Sequence, residues 1–94
     1  MEKPLIIIWS PESLKQIEKI KKIKSDVEVK IYFEKIYSLL NDIKKHPFSG
    51  IGKPEHLKYK FPPCWSRRIN KQDRLIYRIK NKEIQVISLL GHYN

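Results

Sequence analysis

Trp65-Ser66-Arg67-Arg68-Ile69, followed by Arg74-Leu75-Ile76-Tyr77-Arg78-Ile79-Lys80, decides the architecture of this chain. Both runs are rich in β-branched and aromatic residues, and Asn70-Lys71-Gln72-Asp73 separates them with turn-forming side chains. They read as two strands, and a tight Asn81-Lys82 turn leads to a third over Ile84–Leu90, giving an antiparallel meander. Side chains alternate across a strand, so Trp65, Arg67 and Ile69 share one face while Ser66 and Arg68 point the other way. In the next strand Leu75, Tyr77 and Ile79 alternate with Arg74, Ile76, Arg78 and Lys80. If the apolar sets cover the core, Arg68, Arg74 and Arg78 emerge together on an open face, and Arg67 lies elsewhere, at an edge or a protein contact. The third run is apolar on both parities, which suits a central strand.

Upstream the period changes. Leu5–Trp9 reads as a first, buried strand, and Ser10-Pro11 starts a helix with a capping serine and a proline at the first helical position. Leu14, Ile17 and Ile20 form an apolar stripe on this lysine-rich helix. Ser25-Asp26-Val27-Glu28 has the capping-box pattern and opens a second helix. There Val29, Tyr32, Phe33, Ile36, Leu40 and Ile43 keep helical periodicity to Lys44-Lys45, and Pro47 ends it. Gly50, Gly52 and Pro54 mark a loop, and Pro62-Pro63 punctuates again before Trp65. Strand, two helices and meander make an α+β domain with the helices against one face.

With 94 residues, a formal charge of +10 and a pI near 9.8, the expectation is one basic domain over 1–94. The single cysteine, Cys64, excludes an internal disulfide framework and suits a reducing cytoplasm. The apolar run at Leu5–Trp9 is too short for a signal-peptide core, and no segment approaches a membrane span. The charge is concentrated. Residues 50–80 hold 9 Lys/Arg against 2 Asp/Glu, whereas residues 1–49 hold 10 against 7. All the arginines fall between 67 and 78. Such a patch is the footprint of a polyanion, and the guanidinium fork matches phosphate better than an ammonium does. A solvated basic surface is the competing reading of charge alone.

Within this patch stands Glu55, one of very few carboxylates, and the chain closes on His92-Tyr93-Asn94. RNA carries its own nucleophile, the 2′-OH. A protein that cleaves it must remove that proton, neutralise the charge growing on phosphorus and protonate the leaving 5′-oxygen. Glu55 is the candidate base and His92 the candidate acid, histidine titrating near neutrality. Tyr93 could stack on a base or bond a phosphate. The competing readings are a surface carboxylate paired with Lys53 or Lys58, an idle terminal histidine and an anchoring tyrosine. His46 and His56 read as surface residues, and Trp65 as core or groove wall. Gly50-Ile51-Gly52-Lys53-Pro54 lacks the spacing of a nucleotide-binding phosphate loop, and one cysteine with three scattered histidines offers no zinc site. No cofactor is called for.

These residues, in this order, resemble the YoeB/Txe branch of the RelE-like bacterial toxins. The resemblance rests on Ile8-Trp9-Ser10, on Pro47-Phe48-Ser49-Gly50-Ile51-Gly52-Lys53-Pro54-Glu55-His56-Leu57-Lys58, and on Trp65-Ser66-Arg67-Arg68-Ile69-Asn70. Asp73-Arg74-Leu75-Ile76-Tyr77 and His92-Tyr93 complete it. It implies a microbial RNase-like fold, with the N-terminal strand and helical hairpin packed on a curved antiparallel sheet. It implies ribosome-dependent, metal-independent cleavage of mRNA in the A site of the 70S ribosome, leaving a 2′,3′-cyclic phosphate or its opened form. In that scheme Glu55 is the general base, His92 the general acid, and Arg74 and Arg68 the phosphate stabilisers. Lys58 and Tyr93 position the mRNA, with Lys53 among the basic residues at the RNA. Arg67 joins this RNA-facing set or supports ribosome or antitoxin contact. The implied partner is an acidic, YefM-like antitoxin; whether the toxin acts as a monomer or homodimer stays open. Asn94 after the tyrosine, Gly91 before the histidine and a slightly longer helical hairpin are departures from the family pattern. Two other readings remain: a non-catalytic ribosome or RNA binder that blocks translation by occupancy, and a related toxin acting on DNA gyrase, against which the acid–base set argues.

Overall fold

The computed structural model describes residues 5–58 and 63–90. A short strand β1 (Ile6–Trp9) leads directly into α1 (Pro11–Ile23), whose N-terminus is capped by Ser10: its Oγ accepts from Ser13 N at 3.0 Å. Helix α2 (Asp26–Lys45) opens on the expected capping box. Ser25 Oγ accepts from Glu28 N, and Glu28 Oε1 accepts from Ser25 N, each at 3.2 Å. The backbone bond to Ser25, followed by that to its side chain, holds the Glu28 carboxyl below its ordinary pKa. Strands β2 (Glu55–Leu57), β3 (Cys64–Arg68), β4 (Arg74–Lys80) and β5 (Glu83–Ser88) follow. Asn81 and Lys82 both adopt positive φ, 54° and 61°, as a two-residue type I′ hairpin requires.

The five strands form one sheet in the order β1-β5-β4-β3-β2. The meander is antiparallel, but β1 pairs parallel to β5, so the sheet is mixed rather than wholly antiparallel. The chain passes through both helices and three strands between β1 and β5, and no hairpin constrains their relative direction. Strand β5 is flanked on both sides, as its two-faced apolarity implied. Strand β1, by contrast, is an edge. Ile7 and Trp9 reach the core while Ile6 and Ile8 are exposed, which corrects the expectation of a buried strand. The three-residue β2 was not foreseen; Glu55-His56-Leu57 carries no strand pattern and pairs only along the outer edge of β3.

Helix α2 buries Tyr32, Ile36, Leu39, Leu40 and Ile43 against Leu75 and Tyr77 of β4 and Ile84 and Val86 of β5. Each such side chain withdrawn from water contributes roughly 1.5–3 kcal/mol before entropy is counted. Tyr32 carries its hydroxyl inward and donates to Asp73 Oδ2 at 2.9 Å; burial, then that bond, raises its pKa. Helix α1 departs from its apolar stripe. Its buried residues are Ser13, Gln16 and Ile20, while Leu14 is exposed. The reason is the polar end of β5. Gln16 Oε1 accepts from Leu89 N at 2.6 Å and Gln16 Nε2 donates to Ser88 Oγ at 3.1 Å, terminating the strand. No helix among the described residues is long and apolar enough to cross a membrane.

Candidate active site

The helices cover one face of the sheet, and Arg67 and Arg74 fall on opposite sides of it. Arg67 points to the helix side, where it is fully buried. Its Nε donates to Tyr77 Oη at 3.2 Å, its Nη1 to Asp42 Oδ2 and to Ile51 O, and its Nη2 to the carbonyls of His46 and Ser49. A guanidinium has five N–H groups, and here every one has an acceptor. Arg67 therefore has no donor left for RNA, and no surface for a ribosome or antitoxin. That expectation is corrected: Arg67 turns to the helix side with Trp65 and Ile69, and Asp42 supplies the counter-charge that makes burial tolerable. The same bond, more than any other cause, lowers the Asp42 pKa. Burial outweighs the Arg67 contact at Tyr77 and raises its pKa.

These contacts fix the 46–54 loop. Tyr77 Oη donates to Pro47 O at 2.7 Å, Ile51 N to Asp42 Oδ2 at 3.0 Å, and Arg68 N to Gly52 O at 2.7 Å. The two loop glycines sit where no side chain fits. At Gly50 (φ 114°) a Cβ would collide with the Asp42 carboxylate, and at Gly52 (φ 80°) it would come within 2.7 Å of Leu39 Cδ2. Lys53 then takes φ 49°, uncommon for a lysine and more so before a proline, and the chain enters β2 at Glu55.

On the open face the arrangement is different in kind. Glu55 is the Cα partner of Ser66, and Arg68 of Arg74, so the four stand together across β2, β3 and β4. Arg74 Nε donates to Ser66 Oγ at 2.8 Å, its Nη2 donates to Lys53 O at 3.3 Å, and the same nitrogen lies 3.4 Å from Glu55 Oε2. Among the described residues Nη1 has no acceptor. Glu55 is exposed, Arg74 half-buried and Arg68 exposed. Two like charges directly opposite each other on a sheet are unfavourable. With Glu55 the one carboxylate beside them among the described residues, Arg68 and Arg74 form a site that an anion would relieve. A register shift in the β4–β5 pairing between Ile76 and Tyr77 adds local twist beside it.

Lys53 and Lys58 are exposed at the two ends of the segment carrying β2. Arg78 shares the open face but is engaged, its Nε donating to Gln85 Oε1, whose amide in turn donates to Glu83 Oε1 at 2.8 Å. His56 is exposed and packs on Trp65, with Phe48 on the same indole. His92 and Tyr93, the expected acid and its neighbour, lie outside the described residues, as do Gly91 and Asn94. Two residues escaped the sequence reading. Asp42 gave no signal beyond its place next to the buried Ile43, and Ser66 gave one: a small polar residue in the middle of a bulky strand.

A two-helix layer over a mixed five-stranded sheet is the fold of a class of small bacterial toxins. The dimeric YoeB of Staphylococcus aureus superposes with a TM-score of 0.81 at 33% identity, over 97% of this chain and 100% of that one. YoeB from the YoeB–YefM complex of the same organism gives 0.77 at 33% identity over the same shares. The likeness of fold extends to a chain of the Escherichia coli DinJ–YafQ toxin–antitoxin complex, with a TM-score of 0.73 at 15% identity over 96% of this chain and 94% of that one. Toxin YoeB of Synechocystis is 45% identical over 60 residues, 64% of this chain and 70% of the relative. That of Escherichia coli K12 is 38% identical over 60 residues, 64% and 71% respectively. The family model of the YoeB-like toxin of bacterial type II toxin-antitoxin systems matches residues 9–93. This chain belongs to that family.

Proposed function

We propose that the chain is an endoribonuclease that cleaves mRNA in the ribosomal A site and so arrests translation. The observation that carries this reading is the Arg74 site: a guanidinium held by Ser66 Oγ and Lys53 O, 3.4 Å from the Glu55 carboxylate and paired across the strands with Arg68. In the reaction Glu55 takes the proton of the 2′-OH, and the freed oxygen bonds to phosphorus. The P–O5′ bond breaks to leave a 2′,3′-cyclic phosphate. Arg74 and Arg68 neutralise the charge gathering on the phosphoryl oxygens, and the family resemblance makes His92 the donor of a proton to the departing O5′. Acid–base help is worth about 10²–10⁴-fold in such a step. The substrate supplies the nucleophile and the chain the acid, base and cations, so the scheme runs without a metal or cofactor. Lys53, Lys58 and Tyr93 hold the message.

A YefM-like antitoxin is the natural neutraliser. A Staphylococcus aureus relative has been solved with YefM, and an acidic partner matches the formal charge of +10 on this chain. The test is in vitro translation followed by primer extension. Message cut at the A site only when ribosomes are present, and not by the Glu55→Ala or Arg74→Ala protein, is the expected result. Blocked translation with intact message would replace the enzyme with an occupying binder.

A further inference from the structure

Ser66 is 1% exposed, and it is a polar side chain at the centre of the sheet's open face. Its strand neighbours leave it between Glu55 on one side and Ile76 on the other. Arg74 lies two residues from Ile76, the diagonal position that only a long side chain reaches across. A hydroxyl in such a place costs free energy unless it is hydrogen-bonded, and the partner here is Arg74 Nε at 2.8 Å. An alanine or valine would suit a buried strand position better. The serine is explained by the bond it accepts.

The consequence lies in which edge of the guanidinium remains. Arginine can grip a phosphate side-on, through Nε and one Nη, or end-on, through both Nη nitrogens. Ser66 occupies Nε; Lys53 O and Glu55 Oε2 approach Nη2. Among the described residues Nη1 is the nitrogen without an acceptor. We propose that Ser66 is a positioning residue of the active site: by holding Arg74 Nε it turns the Nη1/Nη2 end of the guanidinium to the scissile phosphate and keeps Nη2 beside the Glu55 carboxylate. The base and the phosphate clamp are thereby set in one geometry before substrate arrives. Without the serine the guanidinium swivels about its own long stem, and near-attack alignment is what suffers.

This proposal rests on Arg74 acting as the phosphate clamp of a ribonuclease, and the experiment separates the two. Single-turnover cleavage on mRNA-programmed ribosomes is measured for the full-length wild type and for Ser66→Ala, Ser66→Cys, Ser66→Thr, Arg74→Ala and Ser66→Ala/Arg74→Ala, with thermal unfolding of each. Removing one bond to a charged group should slow cleavage at saturating ribosomes by about 10- to 100-fold in Ser66→Ala. The near-isosteric Ser66→Cys, whose sulfur is a poor acceptor, should do the same, and Ser66→Thr should restore most of the rate. The double variant should be no slower than Arg74→Ala, because Ser66 acts only through that side chain. In ¹⁵N spectra the Arg74 Nε–H signal should be protected in the wild type and exchange rapidly in Ser66→Cys. Wild-type cleavage by folded Ser66→Ala or Ser66→Cys, while Arg74→Ala is inactive, overturns the positioning role. Wild-type cleavage by Arg74→Ala as well would refute the clamp role of Arg74 on which the proposal rests, and no cleavage by the wild type would refute the ribonuclease reading.

Discussion

Arg67 and Arg74 stand on neighbouring strands of one sheet, seven residues apart in sequence, and they do opposite things. The Arg67 side chain is 0% exposed with every donor satisfied, whereas that of Arg74 is 24% exposed with an acceptor-free nitrogen among the described residues. A filled guanidinium is a structural tie, and a part-filled one can still take up an anion. The difference comes from parity across the sheet and from the counter-charge available on each side: Asp42 from α2 inside, Glu55 from β2 outside. The glycine loop joins the two pockets, since the carbonyls of 46, 49 and 51 hold Arg67 and that of Lys53 holds Arg74.

The contrast is broken most severely at Arg67. Truncating one partner of a buried ion pair costs about 3–5 kcal/mol, so Arg67→Ala should lose that much stability in urea unfolding, with cleavage falling chiefly as the folded fraction falls. Arg74→Ala should do the reverse. Its exposed pair with Glu55 contributes no more than about 1 kcal/mol, yet cleavage should drop by about 10²–10³-fold, as for loss of a preorganised charge stabiliser. A large unfolding effect at Arg74, or none at Arg67, would dissolve the distinction. Gly52→Ala tests the joint between them. Its positive φ and the approach of Leu39 and Arg67 predict a loss exceeding about 1 kcal/mol, together with slower cleavage, because both pockets shift.

The smallest effect is on pH dependence. Asp42 has its folded pKa lowered below the ordinary 3.8, chiefly by the Arg67 bond. Its contribution is therefore complete above the unfolded pKa and is lost as pH falls through the folded value. Acid unfolding of the wild type should steepen below about pH 3.8, and Asp42→Asn, already weaker at neutral pH, should show a flatter limb there.

Much of this fold was legible because its signals are local. Ser10 and Ser25 cap helices through bonds reaching only three residues, and the Asn81-Lys82 turn closes within a hairpin. The α1 stripe misled because Gln16 answers to Leu89, 73 positions away, and no periodicity records that bond. The short β2 escaped because three residues at an edge need no hydrophobic alternation. At the site, parity correctly grouped Arg68 and Arg74 on the open face and set Arg67 apart. It did not say where Arg67 goes, since an arginine in an apolar register is read as an exception until its counter-ion is known.

The sequence by itself determined the order of the two helices and of every strand but β2, the caps, the turn and the concentration of charge around one carboxylate, all properties of neighbours along the chain. Only the tertiary structure decided that Asp42 meets Arg67, that Ser66 holds Arg74, and that Glu55 stands beside that guanidinium. Those pairings join residues 25, 8 and 19 positions apart. Distances of that kind are set by packing a helix on a sheet and by strand register, which bring together charges that composition can only count.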